Sequence, residues 1–359
     1  MATTRIEDVR ISGIASAVPD RVVTMEDDAK IFGEEETRRV VKNPGVRERH
    51  VAKNLCASDL CQASAERLMA DLDWSPGSID VLVFVTQCAD VPAPATACLL
   101  QHRLKLGTHV AAFDVNLGCS AYTYGLWLTS SLLRGHMRRA LLLVGDTATR
   151  AASPHDRSVV PLFGDAGSAT ALELTPGAPP MDFILGTDGT GAKHLHSRTG
   201  GHRHPCTPTS FELKMREDGI LRSDVHTVMN GAEVLTFALR NVPDLLKEIK
   251  VASGWSEEDV GAYVFHQASA FMLKNVARCA RIPMSKVVVG LEKYGNTSSA
   301  SIPLAMNDQL QQRLGSTAER LILTGFGIGW SWAAAAVTLG PIVIPPVIVL
   351  PDDPVAFEF

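Results

Sequence analysis

The stretch Asp114-Val-Asn-Leu-Gly-Cys119-Ser-Ala-Tyr-Thr-Tyr-Gly125 decides how the rest of this chain is read. Residues 109–115 form an apolar run suited to a buried strand. Residues 121–133 form an apolar stretch of helical length with small residues on one side. Cys119 therefore falls at a sharp strand-to-helix turn, and Gly118 allows the bend. The turn faces a helix N-terminus, whose partial positive charge is expected to lower the thiol pKa and favour the nucleophilic thiolate. A free cysteine is more often a small buried hydrophobe. Of the seven in this chain, Cys119 is the one whose setting points to chemistry.

Two further motifs extend that reading. Tyr263-Val-Phe-His266-Gln-Ala-Ser269 is an apolar strand ending on a histidine. Tyr294-Gly-Asn296-Thr-Ser-Ser-Ala-Ser-Ile-Pro303 is a polar turn opening a helix, with Pro303 tolerated in the first turn. Taken singly, His266 reads as a core histidine and Asn296 as a turn residue. A cysteine, a histidine and an asparagine at strand ends and turns together suit nucleophilic catalysis. Papain-like peptidases share the triplet, but their local sequences differ from these.

With these motifs in view, the chain resembles the β-ketoacyl-[acyl-carrier-protein] synthase III group of thiolase-superfamily condensing enzymes. The resemblance rests on Gly45-Val-Arg-Glu-Arg-His-Val51, Pro94-Ala-Thr-Ala-Cys98, the Cys119 segment and Phe163-Gly-Asp-Ala-Gly-Ser-Ala169. It continues through Met229-Asn-Gly-Ala-Glu-Val234, His266-Gln-Ala, Gly295-Asn-Thr-Ser-Ser-Ala-Ser-Ile-Pro303 and Gly325-Phe-Gly-Ile-Gly329. These segments run in family order and reach about Leu339.

The resemblance implies an α/β, thiolase-like fold: duplicated βαβαβ halves stacked as a five-layer αβαβα sandwich. The pattern of elements agrees. Strands are expected over 81–86, 109–115, 140–145, 168–174, 263–266, 286–289, 320–324 and 331–339. Helices are expected over 57–72, 95–103, 121–133, 233–250, 270–280 and 302–313. A faint repeat supports two halves. Phe163-Gly-Asp-Ala-Gly-Ser resembles Phe326-Gly-Ile-Gly-Trp-Ser, and Val81-Leu-Val-Phe-Val-Thr-Gln87 resembles Ala262-Tyr-Val-Phe-His-Gln267. The expected halves are 1–175, carrying the nucleophile, and 176–340, carrying the histidine and asparagine. A Pro-rich extension, 341–359, follows. Residues 175–185 read as a connection. Residues 186–223 read as a long polar loop, a feature that in compact domains is often functional, here at the substrate entrance.

Composition narrows the function classes. The chain has 359 residues, 46% hydrophobic and 20% charged, with net charge −5. That excludes the basic footprint of nucleic-acid binding. The cysteines lie mostly in apolar or helical contexts, as reduced cytosolic thiols do. The N-terminus has no signal-peptide pattern, and no apolar run reaches membrane-spanning length free of breakers, so a cytoplasmic enzyme away from membranes is expected. His194, His196, His202, His204 and Cys206 follow no established metal-ligand spacing. No metal is therefore expected. Gly186-Thr-Asp-Gly-Thr-Gly191 lacks the strand-to-helix setting of a dinucleotide fingerprint, so no redox cofactor is expected either.

The activity implied is decarboxylative Claisen condensation of an acyl thioester with malonyl-carrier protein through acyl-Cys119. Acyl-CoA or acyl-carrier protein is then a substrate, and a homodimer is the implied assembly. The backbone N–H of Cys119 and one from the Gly327-Ile328 turn are candidate oxyanion donors. A neutral His266 and the Asn296 amide can both donate to an enolate oxygen, which an ionised aspartate could not do. The alternatives are a same-fold acyltransferase acting on an alcohol or amine, a non-catalytic partner subunit, and a thioesterase-like hydrolase.

The substrate pocket is expected to involve Ala93, Phe163, Met229, Gly231 and Phe271. The resemblance places position 93 in the partner subunit's acyl pocket, so a small residue there implies a primer longer than acetyl, branched or functionalised. Family members using acetyl-CoA hold its adenine end with a tryptophan and an arginine, where Arg39 and Asn43 stand here. Phe271 replaces an arginine linked to carrier docking, for which Lys42, Lys274 and Arg278 are possible electrostatic substitutes.

Overall fold

The structure, a computed structural model, describes residues 1–35 and 45–353. Two sheets form its frame. One has the strand order Ile348–Leu350, Val9–Pro19, Ala166–Leu174, Arg139–Asp146, Val81–Val85, Ala111–Val115. The other has the order Ala2–Ile6, Met181–Thr187, Ser331–Leu339, Glu319–Gly327, Ala262–Phe265. In the first, Val81–Val85 is parallel to both neighbours and Ala166–Leu174 is antiparallel to both of its own. In the second, Ala262–Phe265 runs parallel to Glu319–Gly327, and Ser331–Leu339 is antiparallel to both neighbours. The similar sequence segments thus occupy equivalent strands of two repeated sheets.

Helices complete the layers. Ala121–Leu132 and Ser301–Gln309 each touch strands of both sheets and form the central layer. Ala57–Asp71 and Thr96–Arg103 cover the outer face of the first sheet. Gly231–Ser253 and Ala270–Ala280 cover that of the second. The result is an αβαβα sandwich. Every residue of Val81–Val85 and of Ala262–Phe265 is buried, as expected of parallel strands covered on both faces. Small residues let the central helix lie close to the sheet: a Cβ on Gly125 would stand 2.8 Å from Leu142 Cδ1.

Several expectations are corrected. Residues 286–289 form no strand; a 3₁₀ turn, Met284–Lys286, leads to an isolated bridge between Tyr263 and Val287. The helix expected over 302–313 breaks at Leu310 into Ser301–Gln309 and Gln311–Ser316. The connection expected over 175–185 ends in a core strand, Met181–Thr187. The long loop carries the short ribbons Leu195–His196 with Val228–Met229 and Lys214–Met215 with Leu221–Arg222.

The boundaries of the halves are crossed at both chain ends. Ala2–Ile6 joins the second sheet, and Ile348–Leu350 joins the first. As far as Asp353, the end of the described residues, the extension therefore packs on its own chain. Val343 exchanges backbone hydrogen bonds with Ser12 and Ile14, and Asn307 Nδ2 donates to Pro345 O at 2.6 Å. Asp352 accepts from the backbone N–H groups of Lys53, Asn54 and Leu55 at 2.7, 2.9 and 3.0 Å. Burial opposes ionisation of this carboxyl, but the three N–H donors outweigh it and hold its pKa below the usual value. Asp352→Ala should cost about 1–2 kcal/mol, discounted for partial exposure, since charge-assisted bonds are lost. Urea unfolding measures that loss, and faster amide exchange across 348–350 should accompany it. Unchanged exchange there would show that Asp352 does not anchor the tail.

Candidate active site

The polar residues of interest lie at or just beyond the C-terminal ends of strands that pair in parallel, where ligand sites of α/β sheets collect. Gln87 follows Val81–Val85, Cys119 follows Ala111–Val115, Asp146 ends Arg139–Asp146, and His266 follows Ala262–Phe265. A half-buried Cys119 stands at the start of the central helix Ala121–Leu132. The backbone N–H groups of Ile328 and of Cys119 itself favour negative charge on its sulfur. A Cβ at Gly327 would come within 2.5 Å of Cys119 Cβ and 2.7 Å of its Sγ, so the Gly327-Ile328 turn is pressed against the thiol. Ser120 Oγ and Ser331 Oγ are 2.6 Å apart, and Ser331 Oγ donates to Ile328 O at 2.9 Å, which pins that turn to the one carrying Cys119.

His266 and Asn296 face the same pocket as Cys119. His266 Nδ1 lies 2.7 Å from Ser301 Oγ, and its backbone N–H donates to Thr324 O at 2.8 Å. Asn296 is held by a parallel bridge to Phe163: its N–H donates to Leu162 O at 2.8 Å, and its carbonyl accepts from Gly164 N–H at 3.1 Å. Asn296 Oδ1 accepts from Ser298 N–H at 2.9 Å, which orients the amide and leaves its NH₂ as the donor. The glycines of both motifs permit this approach. A Cβ on Gly164 would stand 2.1 Å from Tyr294 O, and one on Gly295, whose φ is +66°, would stand 2.7 Å from Leu162 O.

Electrostatics reverse one expectation. Burial pushes the Cys119 thiol up to about 11, with Asp146 adding to the rise, and the Ile328 and Cys119 amides only partly oppose it. The helix N-terminus does not yield a resting thiolate. Burial also lowers His266 to about 4, against a backbone contact with Ser298, so the imidazole is neutral near pH 7.

Comparison with known proteins now bears on this geometry. A family described as 3-oxoacyl-[acyl-carrier-protein (ACP)] synthase III matches residues 113–189, and its C-terminal counterpart matches 251–339. The chain is 31% identical over 340 residues to a β-ketoacyl-[acyl-carrier-protein] synthase III of Symbiobacterium thermophilum, covering 94% of this chain and 99% of that one. A crystal structure of 3-oxoacyl-(acyl-carrier protein) synthase from Burkholderia xenovorans LB400 superposes with TM-score 0.92 at 40% identity, covering 97% of this chain and 99% of that one. That of synthase III from Pseudomonas aeruginosa PAO1 gives 0.79 at 28%, covering 94% and 100%. This chain belongs to the β-ketoacyl-[acyl-carrier-protein] synthase III family.

Of the pocket residues expected from the synthase III resemblance, Phe163, Met229, Gly231 and Phe271 line the cavity with Cys119, His266 and Asn296. Ala93 lies in an exposed loop and lines neither cavity that contains Cys119. Positions 39, 42 and 43, which bear on CoA binding and docking in the synthase III comparison, lie outside the described residues. The histidine-rich loop is dispersed. His194 stacks on Trp330 with ring centroids 5.8 Å apart, His196 lines a cavity, and Cys206 is exposed. Among the described residues, no group of three or more His, Cys, Asp or Glu side chains could hold a metal ion.

Asp146 went unrecognised in the sequence. Its Oδ1 accepts from Thr86 Oγ1 at 3.1 Å and Gln87 N–H at 2.8 Å, and its Oδ2 accepts from Ser299 N–H at 3.1 Å. It thereby ties the first sheet to the turn that carries Asn296. A lone acid ending an apolar strand is the signal that could have found it.

A thiol pKa near 11 predicts that alkylation of Cys119 by iodoacetamide, mapped by peptide mass, rises about tenfold per pH unit from pH 7 to 9. A plateau below pH 8 would show that the helix terminus prevails over burial. Gly327→Ala should suppress this alkylation, because the added methyl occupies the sulfur's space.

Proposed function

We propose that the chain condenses an acyl primer with malonyl-carrier protein, and that Cys119, His266 and Asn296 carry the chemistry. The observation that carries this reading is the placement of a cysteine, a neutral imidazole and an oriented amide NH₂ around one pocket. In the first step Cys119 Sγ attacks the thioester carbonyl. The new C–S bond replaces the old one, and the thiol proton leaves with the departing thiol. The oxyanion forms beside the N–H groups of Cys119 and Ile328, which favour negative charge at this position.

In the second step malonyl thioester loses CO₂. The electron pair of the broken C–C bond becomes an enolate, which the neutral His266 and the Asn296 amide stabilise by donation. The enolate carbon attacks the acyl-Cys119 carbonyl and expels the Cys119 thiolate, which takes a proton from solvent. Chemistry of this kind needs no resident cofactor, because the acyl group arrives on CoA or on a carrier protein. A homodimer fits the open sheet edge at Ala111–Val115, all of whose residues are half-buried in the single chain. No helix among the described residues is long and apolar enough to cross a membrane, in keeping with a cytoplasmic site of action.

Intact-protein mass after incubation with acyl-CoA donors should show an acyl adduct on the wild type and none on Cys119→Ala. Malonyl-carrier protein should then discharge it with release of CO₂ and a β-ketoacyl product. Discharge to an alcohol or amine without CO₂ would select acyl transfer instead. Asn296→Asp should still form the adduct but condense about 10²-fold or more slowly, since it loses an enolate donor and adds a negative charge. Equal loss of both steps would deny Asn296 a role specific to condensation.

A further inference from the structure

The Ile328 N–H sits on a stretch of backbone with little stiffness of its own. Gly327 and Gly329 flank Ile328, with φ of +155° and +138°. Glycines have more conformational freedom to lose than other residues, so the place of this N–H is set by what grips the turn from outside. On the side of Cys119 the grip is the Ser331 hydroxyl, which bonds Ile328 O and Ser120 Oγ. On the far side it is Trp330.

Trp330 is held by both its backbone and its ring. Its N–H donates to Asp188 O at 2.7 Å, and Asp188 N–H donates back to Trp330 O at 2.9 Å. The indole is buried, and two rings stack on it. Phe237, from the helix Gly231–Ser253, lies with its centroid 4.6 Å away and its plane 8° from parallel. His194 lies at 5.8 Å and 4°. A Cβ on Gly191 would stand 2.2 Å from Trp330 Cδ1, so the 3₁₀ turn Gly189–Lys193 rests directly against the pyrrole side of the indole.

These partners belong to one continuous stretch of chain. Asp188, Gly191 and His194 lie between the strand Met181–Thr187 and the helix that carries Phe237. His194 O accepts from Asn230 N–H at 2.8 Å, and Asn230 Oδ1 caps that helix by accepting from Glu233 N–H at 3.2 Å. The same stretch supplies Leu195 to both cavities that contain Cys119. Trp330 thus links the wall of the site to the turn bearing the oxyanion donor. Only Gly329 separates it from Ile328, so a displaced indole passes its shift straight to that N–H.

We propose that Trp330 is a positioning residue for acyl transfer, holding the Ile328 N–H at the oxyanion through its ring contacts with His194, Phe237 and Gly191. The proposal rests on the reading of Cys119 as acyl acceptor and Ile328 as oxyanion donor. Its physical basis is the steep dependence of such stabilisation on geometry: a donor must meet the place where charge develops, and a misplacement of about 1 Å costs on the order of 10²-fold in rate.

The test compares two reactions of the same sulfur. Acylation by butyryl and octanoyl N-acetylcysteamine thioesters develops an oxyanion. Alkylation by iodoacetamide is displacement at a saturated carbon and develops none. Both draw on the same thiolate at a given pH, so the ratio of their initial rates, followed by intact and peptide mass, isolates the oxyanion donors. Trp330→Leu should lower that ratio about tenfold or more. Trp330→Phe, which keeps a ring to stack, should retain most of it. Gly191→Ala pushes on the indole from the opposing turn; it should also lower the ratio, and it decides the matter where Trp330→Leu does not fold. An unchanged ratio in folded Trp330→Leu, or in Gly191→Ala standing in for it, overturns the proposal. A ratio in Trp330→Phe as low as in Trp330→Leu overturns it too. All these results leave acyl-Cys119 standing. Absence of an adduct from every thioester on the wild type would instead overturn the acyl-enzyme reading, and this proposal with it.

Discussion

Everything at the centre of this molecule depends on a reciprocal contact between its two halves. Gly327 abuts Cys119 so closely that a methyl group would not fit, and Gly164 abuts Tyr294 O in the same way. These glycines are equivalent. Each lies just before a strand, Ala166–Leu174 or Ser331–Leu339, that holds the same place in its own sheet. Each also presses on the turn that opens the other half's central helix. The Phe163-Gly164 segment holds Asn296 ahead of Ser301–Gln309, and the Gly327-Ile328 turn holds Cys119 ahead of Ala121–Leu132. Neither half could build the site alone, because each supplies the wall against which the other's helix start is set. Ser120–Ser331 and Asp146–Ser299 hydrogen bonds span the same junction.

That enclosure has an electrostatic consequence. Removing groups from water disfavours their charged forms, so the thiol rises to about 11 and the imidazole falls to about 4. The resting site holds a thiol and a neutral histidine rather than an ion pair. An ion pair would make His266 a cation and Cys119 an exposed target for adventitious electrophiles. The neutral state instead leaves thiolate character to be drawn out when a thioester carbonyl reaches the Cys119 and Ile328 N–H groups. It also leaves the imidazole fit to donate to an enolate formed later.

Much of this was legible in the chain, and the part that was not has physical reasons. Strands buried on both faces announce themselves as apolar runs, which is why Val81–Val85, Ala262–Phe265 and Ser331–Leu339 were readable. Val9–Pro19 is buried apart from Arg10, but Ser12, Gly13, Ser16 and small alanines separate Val9, Ile11, Ile14 and Val18, so no continuous apolar run marks it. Met181–Thr187 was hidden behind a Pro-rich approach, Thr175-Pro-Gly-Ala-Pro-Pro180, that signals a break. Cys119, His266 and Asn296 were visible because their local turns are distinctive. Asp146, Ser301 and Ser331 were not, since their roles exist only across the fold. The thiol pKa departs from expectation for a related reason: a helix terminus can be seen in sequence, whereas the burial that outweighs it exists only in the assembled fold.

The two cavities divide the recognition problem as the two halves divide the structure. The smaller is built chiefly from the second half and its crossing segment, including Met229, Val234, His266 and Phe271. The larger is built chiefly from the first, including Gln87, Asn116, Ala148 and Val159. A ping-pong condensation needs this separation. The acyl chain must remain in place on the sulfur while a second thioester enters and loses CO₂ beside it. With Cys119 at the junction, the chain can lie in one cavity while the enolate forms in the other, and neither substrate has to vacate space for its partner. The residues around the larger cavity can therefore change without disturbing His266 and Asn296 in the smaller. That independence is a physical reason for one fold to accept different primers.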